Sequence, residues 1–282
     1  MKFNIDTAEL FIPDGKPEAE ALSRTTHMCL SAHQDDIEIM AFHGVLNCFN
    51  RDDKWFGGVV VTNGAGSPRD DLYAHYTDEQ MRAVRRTEQK KAAYVGDYSY
   101  QALFDYTSSQ VKDPNNVEVV DDIKKLVEAS RPEVVYTHNL ADKHDTHVAV
   151  TIKTIKALRE LPADVRPKML LGCEVWRDLD WMTDEDKVGL DCAGHENLAA
   201  ALLGVFDSQI CGGKRYDLAT IGRRRAHATY FASHGVDDTN QLNFAMNMTP
   251  LIEDPSLDIR EFLKAHIQRF TDEVVARVGK SL

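Results

Sequence analysis

Apolar runs of strand length alternate with amphipathic stretches of helix length along most of this chain, and that alternation leaves few folds open. The apolar runs fall at residues 27–32, 56–62, 101–104, 134–137 and 167–176. Between them, residues 36–50, 78–95, 116–130 and 146–161 place apolar side chains at helical spacing, as with Ile37, Met40, Ala41, Val45 and Leu46. Gly96 and the pair Arg131-Pro132 stop two of these helices. Strand–helix alternation at this spacing predicts an α/β fold, a mostly parallel sheet with helices on both faces. After about residue 180 the texture changes: residues 197–206, 216–233 and 259–278 read as helices, a helical C-terminal elaboration packed on the sheet. Residues 1–25, broken by Pro13, Gly15 and Pro17, read as an N-terminal extension, which leaves 26–282 as a single domain. A chain of 282 residues with 43% hydrophobic content is long enough to bury such a core.

In sheets of this type ligands bind beyond the carboxyl ends of strands, where the strand order switches. Two clusters of ionisable residues fall at such places. His33-Gln34-Asp35-Asp36 follows the first apolar run, and His144-Asp145-Thr146-His147 follows the run at 133–137. Zinc takes imidazoles and carboxylates and keeps one position open for water in a catalytic site. His33 and Asp36 are close enough on one loop to hold one ion, and His147 offers a third ligand. Asp35, between the first two, would take a proton from the metal-bound water, whose pKa the ion lowers towards about 7. His144, one helical turn before His147, faces the same cleft and suits an electrophilic role at a developing oxyanion and a leaving amine. The same residues admit a plainer reading, with Asp35 and Asp36 capping the next helix and each histidine structural.

Composition removes other classes of function. A formal net charge of −12 argues against tracking nucleic acid or an anionic membrane. The basic run Arg223-Arg224-Arg225 reads as a solvated helix face. Five scattered cysteines without a Cys-x-x-Cys spacing favour a reducing compartment over a disulfide framework. No segment reaches the roughly 18 apolar residues needed to span a bilayer. The expectation is a soluble, cytoplasmic protein without membrane insertion. The turn Asn63-Gly64-Ala65-Gly66 lacks the spacing of a nucleotide-binding loop.

The two clusters, with what lies between them, resemble the PIG-L or LmbE-like family of metal-dependent N-acetylglucosaminyl de-N-acetylases. That family carries Ala-His-Pro-Asp-Asp-(Asp/Glu) near its N-terminus and His-Pro-Asp-His later; here they read Ala32-His33-Gln34-Asp35-Asp36 and His144-Asp145-Thr146-His147. Val59-Val60-Val61-Thr62-Asn63-Gly64 looks like its second strand and Thr-x-Gly turn. Arg85-Arg86-Thr87-Glu88 with Ala92-Ala93 and Gly96 looks like its Arg-x-x-Glu helix, and Phe206-Asp207-Ser208-Gln209 like its Ser-Gln element. The likeness runs from about residue 25 to 235.

The resemblance implies a Rossmann-like sheet and one divalent metal ion, zinc with ferrous iron as a fit alternative, held by His33, Asp36 and His147. It implies Asp35 as general base and His144 as oxyanion stabiliser or general acid. Arg85 and Glu88 would brace the site or, on the plainer reading, form a helix-surface ion pair; Arg85 is taken as substrate-binding. Asp105 falls where the family has an acid that contacts the sugar. Two departures stand out. Gln34 replaces a loop-stiffening Pro. Thr146 replaces an Asp expected to orient the catalytic histidine, so His144 should titrate lower unless Asp142 or Asp145 takes the role.

The implied reaction is hydrolysis of an N-acetyl group from an amino-sugar conjugate, the partner being that small molecule. A homo-oligomer is left open by the family's habits. Arg69, Tyr73, His75 and Tyr76 lie on the loop at 63–78, which reads equally as a cover over the site, with Arg69 contacting an anionic or sugar group, and as a solvated surface loop. Trp176 and Trp181 read as packing rather than a sugar platform, and His227 and His234 as non-ligands. Two alternatives stand beside this reading: an amidase of a larger N-acyl conjugate on the same site, and a non-catalytic sugar-binding module that keeps the fold.

Overall fold

The computed structural model describes residues 1–282. Its single sheet is built from β1 (Glu9–Phe11), β2 (His27–Ser31), β3 (Phe56–Thr62), β4 (Tyr100–Tyr106), β5 (Val134–His138), β6 (Met169–Cys173), β7 (Lys187–Asp191) and β8 (Leu242–Asn247). Their spatial order is β1-β4-β3-β2-β5-β6-β8-β7. The central five, β4-β3-β2-β5-β6, are mutually parallel, the doubly wound Rossmann-like arrangement. The chain winds outward in one direction from β2 through β3 to β4, then returns to lay β5 on the other side of β2. The switch point therefore lies between β2 and β5, paired in register at His27 with Val134 and Cys29 with Tyr136.

The helices are α1 (Glu18–Ser23), α2 (Asp36–Met40), α3 (Phe42–Cys48), α4 (Asp78–Val95), α5 (Ser108–Lys112), α6 (Glu118–Ser130), α7 (Asp145–Glu160), α8 (Glu196–Gly204), α9 (Asp207–Ile210), α10 (Tyr216–Tyr230), α11 (Pro250–Glu253) and α12 (Ile259–Gly279). They cover both faces. Successive residues of a strand point to opposite sides, so Met28, Leu30, Val59, Val61, Ala102 and Phe104 enter one core with Ile123, Leu126, Val150 and Leu158 of α6 and α7. Cys29, Val60 and Leu103 enter the other, with Ile37, Phe42, Ala92 and Leu202 of α2, α3, α4 and α8. Burial on both faces is why these strands read as continuous apolar runs.

Four features depart from the sequence expectation. Residues 9–11 and 18–23 form β1 and α1, and β1 pairs antiparallel with the edge of β4. The C-terminal third adds two strands as well as helices: β8 runs antiparallel to β6, and β7 antiparallel to β8. The helix expected over 36–50 is interrupted at Ala41. There the carbonyls of Glu38 and Ile39 accept from Arg224 Nη2 at 2.8 and 3.1 Å, and Asn243 Nδ2 also reaches Ile39, so side chains from distant elements take the last turn of α2. Arg224 is accordingly fully buried, with its guanidinium 4.7 Å over the Phe42 ring. The basic run is thus no solvated face at that position, although Arg225 is exposed. No helix is long and apolar enough to cross a membrane.

Candidate active site

The loop after β2 and the loop after β5 meet at the switch point. Their side chains converge there: His33 Nδ1 lies 3.1 Å from His147 Nε2, and Asp36 Oδ2 lies 3.4 Å from the first and 3.5 Å from the second. A tetrahedral ion bound at 2.0–2.2 Å holds its donor atoms about 3.3–3.6 Å apart, so this triangle has the size of a metal's ligand set. Asp36 is fixed by accepting His33 N–H at 2.7 Å across the turn that begins α2. His147 stands in the first turn of α7, with Asp142 Oδ2 3.5 Å from its Nδ1. Such a carboxylate behind a ligand imidazole fixes its orientation and raises its basicity.

The local electrostatics suit those roles. Burial pushes the Asp36 carboxyl up, but His147, His138 and His33 outweigh it and hold the group far below the ordinary carboxylate range. Burial lowers His33 to about 4, so its imidazole is neutral. Burial also lowers His147, but Asp36 and Asp142 reverse that and raise it. Asp35, on the rim, is pushed well up by burial, opposed by Arg85 and reinforced by Asp36, Glu38 and Glu88. Its backbone sits at φ 85°, a left-handed conformation that a non-glycine residue adopts at a cost.

Two trios of donor atoms come within ligand distance, His33–His144–His147 and Asp36–His138–His147. His138, at the end of β5, went unnoticed in the sequence. It is fully buried, stacked on the His147 ring at 3.9 Å, and 3.5 Å from Asp36. Its Nε2 accepts Ala32 N–H at 2.9 Å, which occupies the lone pair that would otherwise ligate. It buttresses β2 and His147. His144 caps α7: its Nδ1 accepts Thr146 N–H at 3.3 Å, which leaves the ring proton on Nε2. Burial first and then His147 lower its pKa, the direction expected with Thr146 in place of an acid. Asp142 serves the His144 backbone and the His147 ring, and Asp145 is exposed, so no carboxylate orients His144.

A cavity of about 340 Å³ opens over the cluster, lined by His33, Asp35, Asp36 and His144, with Arg85, Trp176, Gln209 and Tyr216 among its other walls. Arg85 and Glu88 do not pair with each other. Arg85 donates to Gln34 O at 2.7 Å and Gly64 O at 3.2 Å and lies 3.7 Å from Asp35. Glu88 accepts the Ser208 N–H and O–H at 2.8 and 2.6 Å. Gly64, at φ +68°, leaves no room for a Cβ, which would meet Gln34 Oε1 at 2.2 Å. Gln34 Nε2 donates to Thr62 O at 3.3 Å, a tie across the loop that a Pro at this position could not make.

Two expected substrate contacts are not brought to the cavity wall. Asp105 is buried and held by Arg82 and Thr7, with Arg86 3.6 Å away, so its charge is met by the protein itself. Arg69 turns to Ala65 O at 2.6 Å and to Asp78. The loop at 63–78 still reaches the site, through Gly64, Gly66, Ser67 and Pro68. Trp176 lines the cavity and stacks 6.4 Å from His144, whereas Trp181 packs on Phe270. His227 is buried against Glu174 at 3.0 Å and His234 is exposed, so neither joins the cluster. Lys214 and Tyr216 also line the cavity, and nothing in their helix-like sequence context marks them.

Comparison with known folds gives a consistent picture. The N,N'-diacetylchitobiose deacetylase from Pyrococcus horikoshii superposes with a TM-score of 0.62 at 14% identity, over 86% of this chain and 90% of that one. The 4-carboxy-2-hydroxymuconate hydratase GalB of Pseudomonas putida KT2440 gives 0.58 at 14% identity, over 80% and 96%. The A40926 pseudoaglycone deacetylase Dbv21 gives 0.57 at 15% identity, over 80% and 97%. At such identity these show a shared fold. No curated protein matches the sequence. Residues 28–158, the segment that holds both clusters, match the family model described as PIG-L, GlcNAc-PI de-N-acetylase.

Proposed function

We propose that this protein is a metal-dependent hydrolase that removes the N-acetyl group from an amino-sugar conjugate. The observation that carries the reading is the triangle of His33 Nδ1, Asp36 Oδ2 and His147 Nε2, open on one side to a cavity whose rim holds Asp35 and His144. A divalent ion held by those three residues, zinc or ferrous iron, would lower the pKa of a water and polarise the amide oxygen.

The remaining steps belong to the chain. Asp35 takes a proton from the attacking water as its oxygen bonds to the amide carbon; the proton affinity that burial confers suits a base, and Arg85 keeps the carboxylate available. His144 directs its Nε2–H at the oxygen that gains charge. When the C–N bond breaks, Asp35 gives the leaving nitrogen the proton it took from the water, and acetate and the free amine depart. Trp176 and Tyr216 supply aromatic surface beside the reacting centre, where a sugar ring stacks. Asp35 stands at the N-cap of α2 but makes no capping hydrogen bond, so its carboxylate lies free at the cavity rim, as the hydrolase reading requires.

The test is elemental analysis of the purified protein together with acetate release from N-acetylglucosamine conjugates. One divalent ion per chain is expected, lost in His33→Ala. Asp35→Asn should keep the ion and lose about 10²–10⁴-fold in turnover, the range for a general base. A wild type that stays empty when supplied with zinc or ferrous iron, or an Asp35→Asn of full activity, would overturn the reading.

A further inference from the structure

A second compartment of about 200 Å³ adjoins the first and shares Ile39, Val175, Trp176, Lys214 and Tyr216 with it. Its outer wall is the start of α10, from Arg215 through Ala219 and Thr220 to Arg223. Three cations line this compartment and no carboxylate does. In a chain with a net charge of −12, the sign is reversed here.

Two of the three cations are uncompensated. Arg215 pairs with Asp217 at 2.7 Å. Lys214 and Arg223 have no acidic partner. Lys214 Nζ sits 5.4 Å from the centre of the Trp176 ring. Arg223 gives Nη1–H to Val175 O at 2.6 Å, and its Nη2 and Nε remain uncommitted. Trp176 joins the two compartments, with one neighbour in His144 at 6.4 Å and another in Tyr216, edge-on at 6.1 Å. On the deacetylase reading, a substrate whose acetamide reaches His144 and Asp35 has this compartment next to it, across the shared wall at Trp176.

We propose that this second compartment receives the group attached to the amino sugar, and that this group is anionic, bearing a carboxylate or a phosphate. The inference rests on the deacetylase reading for which end of the substrate reacts. A neutral group would leave both cations of this compartment without a counter-charge. An anion neutralises both, and the planar guanidinium of Arg223 matches two oxygens of a carboxylate or phosphate at once. Ile39, Val175 and Ala219 supply apolar wall for the carbon skeleton that carries the charge.

The experiment uses the zinc-loaded protein and three probes of one shape: phenyl N-acetyl-β-glucosaminide and its 4-carboxyphenyl and 4-phosphophenyl analogues. Each is titrated by calorimetry, and each is assayed for acetate release. At least one charged probe should bind tenfold or more tighter than the neutral one, and which of the two gains more identifies the anion. The preference should shrink as salt is raised, and should fall to parity or below in Lys214→Glu and in Arg223→Gln; Lys214→Met provides a milder variant should the charge reversal misfold. Equal binding of all three probes by the wild type, or a preference that survives in every variant, would overturn the proposal. Preferential binding without acetate release would keep the anionic compartment and refute the deacetylase reading; acetate release without preference would do the reverse.

Discussion

Asp142 touches neither the cavity nor its contents, yet the geometry of the cluster depends on it. One oxygen accepts His144 N–H at 2.9 Å, and the other accepts Trp176 N–H at 3.1 Å while facing His147. If His147 holds the proposed divalent ion, replacing Asp142 with Ala should lower the affinity for that ion by about 10–100-fold, the usual consequence of losing a carboxylate behind a ligand imidazole. Competition against a chelating dye would measure this, and an affinity equal to wild type would show that α7 alone aims His147. Residues of the cluster itself are legible in the sequence because they are dense: His33, Asp35 and Asp36 lie within one turn, and His144 and His147 within another. His138 is illegible for the opposite reason. It stands alone at the end of an apolar run, and its place against Ala32 arises from strand pairing that no local spacing encodes. Asp105, near the end of β4, and Arg69, on the loop after β3, mislead in a third way, since each stands where a ligand could be met but finds a protein partner first.

Helix α4 shows how an element distributes such residues. Arg85 and Glu88 lie one turn apart, as an exposed ion pair would, but both are buried and reach different loops. Arg85 ties the loop after β2 to the turn at Gly64, and Glu88 holds Ser208 at the start of α9. Glu88→Ala would leave the Ser208 amide without its acceptor in a buried place, at a cost of about 1–3 kcal/mol. A lower urea midpoint, partly restored in Glu88→Gln, is the expected result; an unchanged midpoint would mean that water replaces the carboxylate. The parallel strands and the helices between them are legible because burial on both faces writes continuous apolar runs. β7 and β8 are not, since β7 has only Leu190 buried and β8 mixes Asn243 and Asn247 among apolar residues. The break at Ala41 escapes for a related reason: its cause, Arg224, lies far along the chain.

Across the whole molecule, acid stability follows from imidazoles that the fold keeps neutral. His27 opens the central strand, and burial lowers its pKa from 6.5 to about 4. Below pH 6.5 the unfolded chain binds a proton that the folded chain refuses, so stability falls with pH until the folded group also titrates near 4. Between pH 7 and pH 5 this one residue should remove about 2 kcal/mol. Urea unfolding at the two pH values should show a loss smaller by that amount in His27→Gln, and equal losses would assign the acid sensitivity to other groups. The buried guanidinium of Arg224 has a consequence of another kind. The match to the PIG-L family model ends at residue 158, yet the helix that begins with Asp36 is clasped at its far end by a residue of α10. A graft of the matched segment into another protein would carry the proposed ligands but not the side chain that holds the end of their helix. The unit of inheritance and the working unit therefore differ in length, and a minimal version of this protein has to be cut from its three-dimensional contacts.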